Sequence, residues 1–227
     1  MIKNLERKIC PSLTGINDRD WKSKIKEINE LGLQRIALIL ESFSKKQRER
    51  IYEALEKSSV KEIPLVHLKN DMSREELEYL RDRYQSRYLT IHEDSFSVLE
   101  KWHGHYQNLF LELNYNNRIP ANVDIGKIGG FCVDLAHFKA AEEKWSKEFE
   151  YTLKRKNKKS IFACNHLSGY SAAKNIDLHS PKNKRDFEYV KTLPDFLIGD
   201  VIAIEIYNPI KDQLKFKRQI IAMLSPN

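Results

Sequence analysis

No apolar run in this chain approaches the ~20 residues that cross a bilayer. The opening MIKNLERKICPSL lacks the long apolar stretch of a secretory leader, so a cytoplasmic protein is the expectation. Cysteine is scarce. Cys10, Cys132 and Cys164 form an odd set with no close pairing, which argues against a disulfide framework. Each falls inside an expected strand, as a buried structural thiol does. No linker, low-complexity tract or evident repeat divides the 227 residues, and one domain spanning 1–227 is expected.

What is present fits a large soluble fold. Hydrophobic residues make up 41% of the chain, enough for a core, and 31% charged residues imply a well-solvated exterior. The net charge of +7 is compatible with a phosphate-bearing partner without establishing one. Position matters more. The densest basic run, Lys154, Arg155, Lys156, Lys158 and Lys159, precedes a strand and belongs on the face away from a catalytic mouth. Lys69, Arg74, Arg118, Lys182, Lys184, Arg185 and Lys211 fall in loops that follow strands, where they can meet an anionic substrate.

Strand candidates occur at 8–14, 35–41, 63–68, 87–92, 109–114, 129–135, 160–166 and 200–206. Between most of them, apolar residues recur at helical spacing. Trp21, Ile25, Ile28 and Leu31 make one face, stopped by Gly32; Ile51 and Leu55 mark a second, and Leu77, Leu80 and Tyr84 a third. Val98, Trp102 and Tyr106 predict a fourth helix, and 141–153 a further one carrying Trp145, Phe149 and Leu153. Segment 115–128, with Pro120, Gly126 and several Asn, predicts a short or irregular crossover. Eightfold strand–helix alternation at this length predicts a closed parallel (β/α)8 TIM barrel.

The runs IPLVHL, RYLTIHED, NLFLELN, GGFCVDLAHF, SIFACNHL and DVIAIEIYN each end in an ionisable residue. They deliver His67, His92, Glu112, Asp134 with His137, His166, and Glu205; a short extended stretch adds Asp177 and His179. Strands buried along their length and polar at the C-terminal end are what a barrel mouth requires. Imidazole and carboxylate are ligands for zinc, manganese and iron, so a divalent-metal site at the C-terminal mouth is expected, with zinc favoured and manganese as the alternative. Asp177 and His179, two apart in extended chain, point to one side. Glu112 and Glu205 are placed to act from opposite sides. His103 and His105 in KWHGHYQNL suit surface or packing roles, because that spacing diverges on a helix. Glu41, Asn70, Asn114 and Tyr207 are candidates for supporting or substrate contacts.

GGFCVDLAHFKAA resembles the sixth-strand signature, Cys-x-Asp-x-x-His, of the xylose-isomerase-like barrel superfamily, and most closely its class II AP endonucleases of the endonuclease IV type. NHLSGYSAAKNIDLH resembles the seventh-strand segment of that type, a His followed by an Asp-x-His pair. The resemblance covers strands three to eight. It implies up to three ions: one on His67, His92 and Glu112; one on Glu112, Asp134, His166 and Glu205; one on His137, Asp177 and His179. The implied activity is hydrolysis of a phosphodiester, typically in damaged DNA, with Glu112 and Glu205 holding the cluster and assisting proton transfer. SPKNKRDF replaces the endonuclease type's glycine-rich stretch, the loops after strands two and three are short, and Ser180-Pro181 resembles the isomerase version. The alternative is a metal-dependent isomerase or epimerase of a sugar or sugar phosphate. It would need only Glu112, Asp134, His166 and Glu205, with His137 near the substrate. A barrel that binds without turnover is the third possibility.

Overall fold

The computed structural model describes residues 4–158 and 161–225. Lys159 of the basic run, Ser160 at the start of the seventh expected strand and residues 1–3 of the opening segment lie outside the described residues.

A parallel ring is built from β1 (Ile9–Cys10), β2 (Ser12–Leu13), β3 (Ala37–Ile39), β4 (Leu65–His67), β5 (Tyr88–Ile91), β6 (Leu109–Leu111), β7 (Gly130–Asp134), β8 (Phe162–Leu167) and β11 (Val201–Ile204). Neighbours run in the order β1, β11, β8, β7, β6, β5, β4, β3, β2. The two ends of that order are halves of one strand, split at Pro11. Ile9–Cys10 pairs with β11 and Ser12–Leu13 with β3, and the ring closes through the proline. Proline has no N–H to donate, but its carbonyl accepts from Ala37 N at 2.8 Å. The expected (β/α)8 barrel is the observed fold.

Two apolar layers hold it. Cys10, Ala37, Ile39, Leu65, Phe110, Cys132, Cys164, Val201 and Ala203 fill the barrel interior, all buried. A larger layer between strands and helices includes Ile28, Leu38, Ile51, Val66, Leu80, Leu89 and Ile220. Each fully buried Leu or Ile of this kind contributes ~1.5–3 kcal/mol. All three cysteines are free and buried, as expected. At Gly130, φ is +138°, and a Cβ there would collide with the Ile161 carbonyl, so strand β7 can pass β8 this closely only as glycine.

The outer layer is α2 (Asp18–Glu30), α3 (Lys45–Glu56), α4 (Arg74–Tyr84), α5 (Leu135–Glu143), α6 (Lys147–Leu153) and α7 (Ile210–Leu224), with a four-residue α1 (Leu5–Lys8) before the ring. Asn17 caps α2 by accepting from the N–H groups of Arg19 and Asp20, and Ser73 caps α4 reciprocally with Glu76. The faces expected on the first three helices are buried, except Leu31, which sits past the end of α2 and is exposed. Gly32, with φ +61°, ends that helix as its sequence position predicts.

Two expected helices differ. The fourth crossover is a series of 3-10 turns, Glu93–Ser97, Leu99–Trp102 and Tyr106–Asn108. Ser97 Oγ bonds back to the Asp94 carbonyl, and Gly104 at φ +87° breaks the chain before a helix can propagate. Trp102 is still buried, with its indole N–H donating to Met72 O. Segment 141–153 is broken at Trp145 (φ +49°), whose ring lies exposed rather than on a buried face. Ser146 then caps α6 through the Phe149 N–H. Segment 115–128 is irregular, as expected, with one 3-10 turn at Ile125–Lys127. After β8 the chain adds an antiparallel pair, β9 (Gly169–Ser171) and β10 (Ile176–Leu178).

Candidate metal and substrate site at the barrel mouth

Strand alternation places the site. Stepping two residues from each interior apolar or hydroxyl side chain reaches an ionisable one: Leu65 to His67, Thr90 to His92, Phe110 to Glu112, Cys132 to Asp134, Cys164 to His166, Ala203 to Glu205. The same step on β3 runs Ala37, Ile39, Glu41. The last interior layer is therefore polar at seven strand ends. It floors a cavity of about 530 Å³ lined by Glu41, His67, His92, Glu112, His137, Asp177, His179 and Glu205, with Asn114, Tyr115 and Asn116. Asp134 and His166 lie buried beside it. All nine residues read from the sequence thus converge at one end of the barrel.

His166 Nδ1 stands 2.7 Å from Glu112 Oε2 and 2.9 Å from Glu205 Oε2, yet neither contact is aligned as a hydrogen bond. Asp134 Oδ1 accepts the His137 N–H at 2.8 Å, which caps α5 and leaves Oδ2 without a partner. His137 is therefore in the first turn of a helix. Its Nδ1 lies 3.4 Å from Glu112 Oε1 and 3.3 Å from the Leu113 carbonyl. On the opposite rim Asp177 accepts the Tyr115 hydroxyl at 2.6 Å and meets His179 Nε2 at 2.8 Å. His179 Nδ1 is 3.2 Å from the Glu205 carbonyl.

Seven buried atoms here lack a hydrogen-bond partner among the described residues: both ring nitrogens of His67, His92 Nδ1, Glu112 Oε2, Asp134 Oδ2, His166 Nδ1 and Glu205 Oε2. Each unmet buried polar atom costs ~1–3 kcal/mol, more when charged. Such a cluster is stable where a cation takes up the free lone pairs. Among the described residues, three groups have ligand atoms close enough for one ion: His67 with Glu112, His166 and Glu205; Glu41 with His67 and His92; Glu112 with Asp134 and His137. His137, Asp177 and His179 do not form such a group. His137 turns toward Glu112, while Asp177 and His179 pair with each other.

The electrostatics follow from proximity. Burial disfavours charge on His166, but Cys132 and the carboxylates of Glu112 and Glu205 hold its pKa well above the usual imidazole value. Burial likewise opposes charge on His92, and Glu112 and Glu41 outweigh it, raising its pKa to about 10. His67 and His92 pull Glu41 down to about 2 against its own burial, with His67 the largest influence. Burial lifts Asp134 to about 6, helped by Glu112 and Glu205. Burial pulls His67 below its usual value.

Other expectations sort clearly. None of the seven loop cations lines the mouth cavity, which corrects the sequence reading. Lys69 donates to the Phe43 carbonyl, Arg74 pairs with Glu78, and Lys211 faces Glu30. Lys182, Lys184 and Arg185 are exposed, and Arg118 borders a separate cleft with Glu93 and Asp94. Asn114 is held in place by Glu93, and Tyr207 lies 5.3 Å from the His179 ring. Asn70 is tied to Asp94 and Ser95 instead. His105 packs against Arg81 and Glu78, outside the site. Glu41, expected as a supporting or substrate contact, stands among the possible ligands, and its in-phase position after Ala37 and Ile39 is the sequence signal for it.

No protein-family model matches the chain, and no curated protein matches it. Among solved structures, a protein described as "D-tagatose 3-epimerase-like" superposes with a TM-score of 0.55 at 17% identity, covering 95% of this chain and 97% of its own. No helix among the described residues is long and apolar enough to cross a membrane. At that identity the likeness establishes the fold, a parallel α/β barrel shared over nearly the whole of both chains.

Proposed function

We propose that this chain, working as a single domain, is a divalent-metal-dependent isomerase or epimerase of a small uncharged sugar. Glu112, Asp134, His166 and Glu205 would hold the essential ion, with His137 beside the substrate. The observation that carries the reading is a mouth cavity whose lining, among the described residues, is rich in hydroxyl-binding groups and contains no lysine or arginine. A cavity of this size suits a monosaccharide, and an anionic phosphodiester would meet the carboxylates of Glu41, Glu112, Asp177 and Glu205 there, with no lysine or arginine among the described lining residues to receive it. The structural neighbour's description as an epimerase-like protein supports the same chemistry.

A bound divalent ion supplies Lewis acidity, polarising a carbonyl and its neighbouring hydroxyl. The chain's own groups do the rest. Glu112 and Glu205 approach the site from the ends of strands β6 and β11, and both carboxylates reach His166 Nδ1. One takes the proton from the carbon beside the carbonyl, and the other returns a proton to the opposite face, inverting the centre. Asn114, Asn116, Tyr115 and His179 orient the remaining hydroxyls. The Asp177–His179 contact fixes the imidazole for that task.

A second reading, phosphodiester hydrolysis at a multinuclear centre, is favoured by one observation: the ligand groups exceed what an isomerase requires. Incubation of manganese- or zinc-loaded protein with a ketohexose panel in deuterated water separates the two. Loss of the proton signal at the carbon beside the carbonyl supports the isomerase. Silence across that panel, with cleavage of bis-nitrophenyl phosphate or abasic DNA, overturns it in favour of the hydrolase.

A further inference from the structure

We propose that Glu41, His67 and His92 form a second, zinc-type cation site, separate from the Glu112–Asp134–His166–Glu205 centre. In it Glu41 takes the position that the endonuclease resemblance gives to Glu112. The inference rests on the mouth being metal-bearing, but not on which reaction it performs.

Topology places the three side chains together. β3, β4 and β5 are adjacent, with Ile39 opposite His67 and His67 opposite Thr90. Glu41 and His92, each two residues further on, flank His67 from the neighbouring strands. Glu41 Oε2 lies 3.6 Å from His67 Nε2 and 3.3 Å from His92 Nε2. Two ligands bound tetrahedrally at 2.0–2.1 Å stand about 3.4 Å apart, so these separations fit that geometry. The contacts around His166, 2.7 and 2.9 Å, are tighter.

A hydrogen bond from His92 to Glu41 accounts for only part of this arrangement. It leaves His67 only 1% exposed with no partner on either ring nitrogen. A cation on Nε2 meets that need. The ring proton then resides on Nδ1, which faces Glu112 Oε2 at 3.6 Å. That separation is longer than a hydrogen bond, so the Glu112 carboxylate acts on this proton through its charge. Glu112 thus supports the second site through His67 while serving the other centre directly. Glu41 is half-buried, and it lines the cavity together with His67 and His92, so an ion held by the three would be reachable from the mouth.

The test is cobalt(II) and zinc titration of the whole, metal-stripped chain, with elemental analysis, for wild type, Glu41→Gln and Glu205→Gln. The expected result is at least two ions in wild type and one fewer in each variant. The intense visible band of four-coordinate cobalt should vanish in Glu41→Gln and persist in Glu205→Gln. Unchanged metal content and affinity in Glu41→Gln, loss of every ion together, or a single ion in wild type would overturn the proposal. Should Glu41→Gln fail to fold, His92→Gln and the wild-type cobalt spectrum give the same decision. Absence of turnover on every sugar would sink the isomerase reading and leave these counts untouched.

Discussion

Lys24 offers the sharpest quantitative prediction. It sits in the middle of α2 with only 2% of its surface exposed, and its ammonium donates to the Ile206 carbonyl at 2.9 Å, one residue beyond Glu205. Burial lowers its pKa to about 7, against partial compensation from Asp20 and Glu27. The unfolded chain holds that proton until about pH 10.4. Between those values the unfolded state binds more protons than the native one, so stability rises with pH across that window. Below pH 7 the buried charge carries its full penalty, which at 1.36 kcal/mol per unit amounts to about 5 kcal/mol. Lys24→Met removes the penalty but strands the Ile206 carbonyl, at a cost of ~1–3 kcal/mol. The variant should therefore be about 2–4 kcal/mol more stable than wild type at pH 6.5, which raises Tm by roughly 5–15 °C for a chain of this size. The advantage should vanish by pH 10. Urea unfolding of both proteins across pH 6–10 measures this directly. A stability difference that stays constant over the range would refute the claim that a buried, reluctantly charged lysine sets it.

Chelation should destabilise the protein. If free metal stands at 100 times its dissociation constant, its removal costs about 2.7 kcal/mol, visible as a fall in Tm reversed by adding manganese or zinc. Glu205→Gln should lower turnover by about 10²–10⁴-fold, the range for a lost general acid or base, while thermal melts in chelator stay close to wild type. Arg48, fully buried, donates to Glu76 at 2.9 and 3.0 Å and to the Phe43 carbonyl at 3.0 Å. Arg48→Met should cost about 3–5 kcal/mol in urea unfolding, because it leaves a partly buried carboxylate unpaired. A loss below 1 kcal/mol would show that solvent already serves Glu76.

The ring of strands was legible because parallel strands are buried on both faces and read as apolar runs. Their polar endings were legible for the same reason: alternation carries the interior phase one step past the core. Glu41 escaped because RIALILES ends in ordinary-looking polar residues. Only the phase set by Ala37 and Ile39 distinguishes it from its neighbour Ser42. Val98, Trp102 and Tyr106 misled because successive 3-10 turns bury Trp102 as a helix would, while Val98 and Tyr106 stay only half-buried. Trp145 misled because apolar character says nothing about a positive φ. The loop cations failed as substrate contacts for a different reason. Long flexible side chains point where nearby carbonyls and carboxylates draw them, and those partners come from elsewhere in the fold.

Closure across Pro11 makes the first and last strands mutually dependent. Among the described residues, Ile9 and Cys10 find their sheet partners in Ile202 and Ala203, from the far end of the chain. Until that last segment docks, a nascent or truncated ring would carry two raw edges, each offering unpaired amides to any other chain. Completing the circle is thus what keeps neighbouring molecules from joining it.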